Sequence, residues 1–382
     1  MRFTVDRDVF AEAVTWAARS VPARPPVPVL AGVRLHAEND ELTFASFDYE
    51  VSALCSVPAQ VEISGTVLVS GRLLAEISKV LPKNRPVNIE VEGNKVNITS
   101  GSAHFTLASM AADDYPSLPG MPRDAGTIDA SELSHAVSQV SIAASRDDTL
   151  PLLTSILMEV QGTQLTLLAT DRYRLAMREM TWAPIDESFE THALIKSRTL
   201  VDVAKQLTAS GDITVSLSTG DDVANGMIGF EGRSGSSTRR TTSLLTDGNY
   251  PPVRRLFPES SSIFADVPTA ELIDAVKRVS LVADRLTPIR LSFTQGNLSL
   301  DAGTGDDAQA TEQLQAHVDG DDIVIAFNPA FLLDGLGAVG TPYARFAFTH
   351  STKPAMMTGV NSIGGTEDLS FRYLLMPHRY GV

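Results

Sequence analysis

The sequence predicts an α+β protein of three tandem domains, each an approximate duplication of a strand, a helix and a hairpin. Three observations carry this reading. The chain has 382 residues, more than one ordinary core accommodates and suited to two or three domains. Three stretches share one order of elements: an alternating strand, an amphipathic helix, a Pro-rich turn and two alternating strands. The landmark pairs Ala13-Val14, Ala136-Val137 and Ala275-Val276 are spaced by 123 and 139 residues. Solenoid and propeller repeats run to only about 20 to 50 residues, so each unit here is a domain.

The first helix of each unit lies in DVFAEAV, SELSHAV and AELIDAV, where Asp8, Ser131 and Thr269 are the expected caps. Helical spacing puts Val9, Phe10, Ala13, Val14, Ala17 and Val21 on one face, a core stripe. Hairpins follow in GVRLHAENDELTFASFD, SILMEVQGTQLTLLATD and RLSFTQGNLSLDAG, where polar turn residues separate alternating runs. A second helix comes in GRLLAEISKVL, SRTLVDVAKQL and NPAFLLDGLGAV. The domain ends also match, with AADDYPSLP around Tyr115-Pro116 corresponding to TDGNYPPVRRLFP around Tyr250-Pro251. The expected domains are therefore 1–122, 123–257 and 258–382.

Composition excludes several classes. Hydrophobic residues at 43% and charged residues at 20% are ordinary for a globular protein, and no window approaches the 18 or more apolar residues of a membrane span. The opening MRFTVDRD reads as a strand and a helix start without the apolar core of a signal peptide, so a cytoplasmic protein is expected. A single cysteine, Cys55, forms no internal disulfide and gives no support to structural zinc. The seven histidines are scattered and none has a metal-ligand spacing. GTGDD from Gly303 lacks the Lys-Ser/Thr of a phosphate loop, and both it and GRSGSSTRR from Gly232 read as hairpin turns. No metal or cofactor is expected. Asp113-Asp114 and Asp306-Asp307 leave a phosphodiester-processing enzyme as the rival reading, although adjacent strand residues point to opposite faces.

The formal net charge of −15 argues against simple affinity for nucleic acid. Its distribution argues otherwise. Residues 70 to 85 carry Arg72, Lys79, Lys83 and Arg85 against Glu76, and residues 196 to 207 carry Lys196, Arg198 and Lys205 against Asp202. Arg24 and Arg146 extend the basic set, and in the third unit Lys277 and Arg278 on the first helix stand in for a second helix with no Lys or Arg. Salt screens exposed charges beyond roughly 8 Å, so a locally basic face can meet a duplex while acidic faces point elsewhere. No aromatic residues interleave with these cations, which favours phosphate contacts over base stacking.

At LLATDRYRLAMRE (Leu167 to Glu179), NYPPVRRLFP (Asn249 to Pro258) and YLLMPHR (Tyr373 to Arg379), the chain resembles the bacterial sliding clamps, the beta subunits of DNA polymerase III, in an actinobacterial-like form. The match spans the whole length. The resemblance implies three DNA-clamp domains forming half of a six-domain ring, a non-catalytic homodimer whose twelve helices line a hole around double-stranded DNA. DNA-facing cations would be Arg24, Arg72, Lys79, Arg146, Lys196, Arg198, Lys205 and Lys277. Phe105 and Leu107 would face the partner's region of Ser280 and Leu281. The resemblance also implies a groove that takes short motifs from the polymerase alpha subunit, the clamp loader and repair proteins. Its walls would be Leu153, Thr170, Arg172, Tyr173, Arg174, Leu175, Pro251, Arg255, Leu256, Asn328, Phe331, Met376, Pro377, His378 and Arg379. The chain departs from the family pattern with Arg172 in place of Gly, His378 in place of an aliphatic residue and Tyr380 in place of Leu. These departures suggest a retuned pocket, as in a spare or inhibitor-resistant copy, with neutral drift as the alternative.

Overall fold

The computed structural model describes residues 1–218, 226–283, 287–303 and 308–378. The chain forms two compact units. The first comprises Met1–Ser134, Trp182–Glu187 and Arg198–Leu245, and the second His135–Thr181, Ser188–Ser197 and Thr246–Val382. Among the described residues there are six α-helices, α1 (Arg7–Ala18), α2 (Gly71–Val80), α3 (Ala130–Ser141), α4 (Ser197–Leu207), α5 (Thr269–Val279) and α6 (Pro329–Val339). They fall where the two helices of each repeat were expected.

In the first unit a five-stranded sheet runs Gln60–Ile63, Arg2–Val5, Val87–Glu92, Lys95–Ser100 and Ala103–Ala108. A nine-stranded sheet runs Ala183–Pro184, Asp124–Asp129, Asp212–Leu217, Met227–Ser234, Ser237–Leu244, Val51–Pro58, Glu41–Phe47, Gly32–Glu38 and Gly65–Ser70. Its central join pairs Ser237–Leu244 of the second repeat with Val51–Pro58 of the first, in the register Thr241↔Ala53. Strands alternate buried and exposed positions, as one-sided antiparallel sheets require. Helix α1 seats Phe10 edge-to-face on Phe44, with ring centroids 5.6 Å apart, and packs beside α2.

The second unit repeats the plan. A nine-stranded sheet runs Glu190–Lys196, Ser155–Gln161, Gln164–Thr170, Arg174–Thr181, Glu367–Leu375, Ala355–Val360, Tyr343–Phe348, Ile263–Pro268 and His317–Asp319. A four-stranded sheet runs Ala310–Gln315, Asn297–Ala302, Ile289–Thr294 and Ile323–Phe327. The join here is Arg174–Thr181 against Glu367–Leu375, in the register Leu175↔Leu374. Phe293, Phe346 and Phe348 form an aromatic core with centroids 5.2 to 6.0 Å apart. Helix α6 approaches this sheet through Gly335, where a Cβ would lie 2.5 Å from the Tyr373 ring.

The helix caps correct the sequence reading. The α1 cap is Asp6, whose carboxylate accepts from the N–H groups of Asp8 and Val9 at 2.8 and 3.1 Å. At α3 it is Asp129, accepting from Ser131 and Glu132 at 2.9 and 3.0 Å. Helix α5 starts after Pro268, with the Thr269 N–H given to the Pro342 carbonyl at 2.9 Å. A side-chain cap reaches N–H groups two and three residues ahead, so the capping residue precedes the helix and Asp8, Ser131 and Thr269 already lie inside it. The stretch from Gly232 is a hairpin, with Gly235 at φ +58° joining Met227–Ser234 to Ser237–Leu244.

Inside the second unit Arg345 grips Asp266 in a fork, Nε to Oδ1 at 2.7 Å and a terminal nitrogen to Oδ2 at 2.8 Å. Asp266 also accepts from the Gly364 N–H at 2.8 Å, and Arg345 donates to the Gly365 carbonyl at 3.0 Å. The pair pins loop 361–366 to the sheet. Asp266→Ala is expected to cost about 3 to 5 kcal/mol, because it leaves a nearly buried guanidinium unmatched. Urea unfolding measures that loss, and hydrogen exchange should show loop 361–366 opening first.

Candidate functional site

The hairpin turn that joins Gln164–Thr170 to Arg174–Thr181, in the second unit, carries the first group of expected groove residues. The Asp171 carboxylate accepts from the N–H groups of Tyr173 and Arg174 at 3.0 and 3.1 Å, a side-chain-closed turn. The Thr170 hydroxyl donates to the Arg174 carbonyl at 2.7 Å and accepts from the Arg172 N–H at 3.2 Å. This geometry places Arg172 at φ +80°, the left-handed region that favours glycine. Arg172 and Tyr173 are exposed, while Arg174 and Leu175 are buried.

A second group lies on the linker around Tyr250. The Tyr250 hydroxyl accepts the Thr170 N–H at 3.0 Å, and burial raises the pKa of that hydroxyl. Tyr115 plays the same part in the first unit, accepting the Phe47 N–H at 2.8 Å, with its pKa pushed up to about 12 by burial. The matching Tyr-Pro ends seen in the sequence are thus two copies of one anchor. Beyond Tyr250 the short helical turn Val253–Leu256 presents Arg255 and a half-exposed Leu256. Arg254 turns the other way, to Glu159 at 2.9 Å. There a cleft of about 500 Å³ lies between the linker and Leu157, Glu159, Leu168 and His192, sharing Pro251 with the groove.

A third group lies in the segment after Glu367–Leu375. The Met376 N–H donates to the Tyr173 carbonyl at 2.9 Å and the His378 N–H to the Ala326 carbonyl at 2.7 Å. The main chain at Met376, Pro377 and His378 is therefore tied at both ends. Leu153 and Leu175 are buried, as floor residues are, whereas Tyr173, Leu256 and Met376 are exposed at 62%, 51% and 43%. Asn328 caps α6 by accepting from the Ala330 and Phe331 N–H groups at 2.9 and 3.2 Å, and Phe331 stacks on Tyr173 with centroids 6.2 Å apart. Arg379 and Tyr380 lie outside the described residues.

Arg174 ties the hairpin turn to α6. Its Nε donates to Asp171 at 2.9 Å, a terminal nitrogen donates to Asp334 at 2.6 Å, and the guanidinium carbon lies 4.3 Å from the Phe331 ring centre. Burial alone lowers the guanidinium pKa, but Tyr373, Asp334 and Asp171 outweigh it and hold the group above its usual range. The Tyr373 hydroxyl donates to the Phe331 carbonyl at 2.9 Å. The sequence reading missed Asp171, Asp334, Tyr250 and Tyr373. Asp171, Tyr250 and Tyr373 lie within the quoted family motifs, and Tyr250 also matches Tyr115, whereas Asp334 had no such signal.

The candidate DNA-facing cations are all exposed: Arg24, Arg72, Lys79, Arg198 and Lys205 in the first unit, and Arg146, Lys196 and Lys277 in the second. Arg72 lies 3.4 Å from Glu76 and Lys277 3.8 Å from Asp274, while Arg278 is held by Glu312. Phe105 is half-buried on the edge strand Ala103–Ala108, and Leu107 turns into the core at 4% exposure. Ser280 and Leu281 begin the short turn Ser280–Val282, where Leu281 is 84% exposed. Asp113 and Asp114 are exposed in a short helical turn, and Asp306 and Asp307 lie outside the described residues. Among the described residues no group of three His, Cys, Asp or Glu could hold a metal, and no helix is long and apolar enough to cross a membrane.

Comparison with known proteins assigns this architecture. Family models of the DNA polymerase III beta subunit match in order: the N-terminal domain at 1–119, the central domain at 127–252 and the C-terminal domain at 254–379. The beta sliding clamp of Streptomyces coelicolor is 51% identical over 379 residues, covering 99% of both chains. The beta sliding clamp homolog GriR of Streptomyces muensis is 43% identical over the full length of both. Among solved structures, the Pseudomonas aeruginosa DnaN sliding clamp bound to griselimycin superposes with a TM-score of 0.89 at 27% identity, covering 100% of both chains. The Bacillus subtilis sliding clamp gives 0.89 at 26% identity, again over 100% of both. With three clamp domains in tandem and half its residues shared end to end with an actinobacterial relative, the chain belongs to the beta sliding clamp family, the beta subunits of DNA polymerase III.

Proposed function

We propose that this clamp works in the cytoplasm as a head-to-tail homodimer that encircles double-stranded DNA and tethers the polymerase III alpha subunit, the clamp loader and repair proteins through the groove of the second unit. It catalyses nothing and needs no cofactor. The observation that carries the reading is that expected groove residues meet in the second unit: the Tyr173 carbonyl holds the Met376 N–H, the Tyr173 ring stacks on Phe331, and Tyr173, Leu256 and Met376 are left exposed. Apolar anchors of a short peptide gain affinity there without first ordering the walls. Two identical heterologous contacts would close the ring, with exposed Leu281 of one subunit against the edge strand bearing Phe105 and Leu107 of the other. Closure on circular DNA is the direct test: the protein should stay on a closed circle, leave after linearisation, and weigh as a dimer at micromolar concentration. Release from intact circles, or a monomer alone, would refute it.

Encirclement requires only weak attraction to phosphates. Replacing Arg24, Arg72, Lys196 and Arg198 with Ala should weaken retention and leave peptide binding intact. Binding to open duplex should show a shallow salt slope, about −0.9 per phosphate neutralised. Filter binding across a salt series, with peptide titration as the control, measures both.

A retuned groove is supported by Arg172, a bulky cation at a left-handed position, and by His378 beside Pro377. The likeness to the GriR homolog points the same way, and griselimycin, which a solved clamp structure holds, is the ligand for the test. Arg172→Gly combined with His378→Val should tighten griselimycin by about tenfold, or 1.4 kcal/mol, while changing affinity for a linear clamp-binding peptide less than threefold. Calorimetric titration of both ligands gives the ratio. An unchanged ratio would mark the two substitutions as drift.

A further inference from the structure

We infer that Asp334 of α6 is a positioning residue for the peptide groove, setting the Tyr173 lip through Arg174 rather than by touching the ligand. The inference rests on the peptide-groove reading above. Asp334 and Phe331 lie three residues apart on α6, one turn and therefore one face. Both act on Arg174: the Asp334 carboxylate accepts from a terminal nitrogen at 2.6 Å, and the Phe331 ring lies 4.3 Å from the guanidinium carbon. The other side of the guanidinium is bound to Asp171, 2.9 Å away, and Asp171 also closes the turn by accepting the Tyr173 and Arg174 N–H groups. One buried cation thus ties the turn to the helix. The Tyr173 ring rests on Phe331, and the Tyr173 carbonyl holds the Met376 N–H, so two lips of the groove take their places from this tie.

The two carboxylates differ in what else they do. Asp171 is 13% exposed and makes the turn's main-chain bonds, so its replacement would disorder the turn itself. Asp334 is 43% exposed on the helix surface, and Asp171 and the Tyr373 hydroxyl remain beside the guanidinium when it is replaced. Asp334→Asn keeps the shape of the side chain and removes the charge, which weakens the tie between Arg174 and α6 to a neutral hydrogen bond and the Phe331 ring contact. The turn can then drift away from Phe331, and the groove loses its fixed width.

The test uses the full chain and a fluorescein-labelled linear clamp-binding peptide, read by fluorescence polarisation, in two backgrounds. In the natural protein Asp334→Asn should weaken binding about tenfold, with Asp334→Glu recovering most of the loss. In a Tyr173→Ala background the same substitution should change affinity less than about twofold, because a residue that acts through the lip has nothing left to position. Retention on circular DNA should stay at the natural level, showing that the fold and the ring are intact. Natural affinity in Asp334→Asn, or an equal loss in both backgrounds, overturns the inference while leaving the groove in place. No peptide binding by the unaltered chain overturns the groove reading and this inference with it.

Discussion

The constraint on which the rest of the structure depends is the antiparallel pairing of Arg174–Thr181 with Glu367–Leu375. It joins a strand of the second repeat to the last strand of the third by main-chain hydrogen bonds, so the sheet passes the repeat boundary without interruption. Its register puts Leu175 opposite Leu374, both on the face where Leu157, Leu168, Met177 and Leu194 form a core cluster under the linker. A slip of Glu367–Leu375 by one residue would turn Leu374 to the other face and take it out of this cluster. The first unit has the same device, Val51–Pro58 against Ser237–Leu244, where the hydroxyls of Ser52 and Thr242 lie 2.6 Å apart across the join. These two joins explain why the compact units cut through the middle repeat: each takes part of that repeat's strands.

The join also decides where polar groups go. A continuous sheet leaves turns and linkers at its margin, and their main-chain N–H groups need acceptors. Tyr115 and Tyr250 supply phenolic oxygens to Phe47 and Thr170, and the apolar surroundings that raise their pKa values hold the rings in place. Arg174 is the costliest group buried there. Two carboxylates and the Phe331 ring match its charge, and its planar fork lets it face all three at once, which a lysine ammonium could not do. Rigidity of the groove therefore comes from a polar network under an apolar surface.

Charge distribution reconciles an acidic protein with a duplex. The cations on α2, α4 and α5 are exposed, and some are partly answered by a carboxylate one turn away, as Arg72 is by Glu76. Such exposed pairs contribute at most about 1 kcal/mol and exchange freely with solvent, so a phosphate can displace the carboxylate at little cost. In the proposed ring such a surface would attract DNA weakly and let it slide. A net charge of −15 opposes tight, static binding.

The sequence alone determined the repeat, the six helices and the hairpins, because each is written in a local hydrophobic period, about 3.6 residues for a helix and about two for a strand. It also displayed the groove's residue types, through family motifs at Thr170 to Leu175, Pro251 to Leu256 and Met376 to Arg379. It placed the caps two residues late at Asp8 and Ser131, because a cap is recognised by the main-chain geometry it closes and several polar residues compete for the position. The tertiary structure alone decided which strands meet across repeats, that Arg172 stands at a left-handed φ, and that Asp334 reaches Arg174 from 160 positions away. Periodicity fixes which face of a strand or helix is apolar. Which two faces come together, and which buried charge must then be matched, depends on the register of strands far apart in the chain, and no local pattern encodes it.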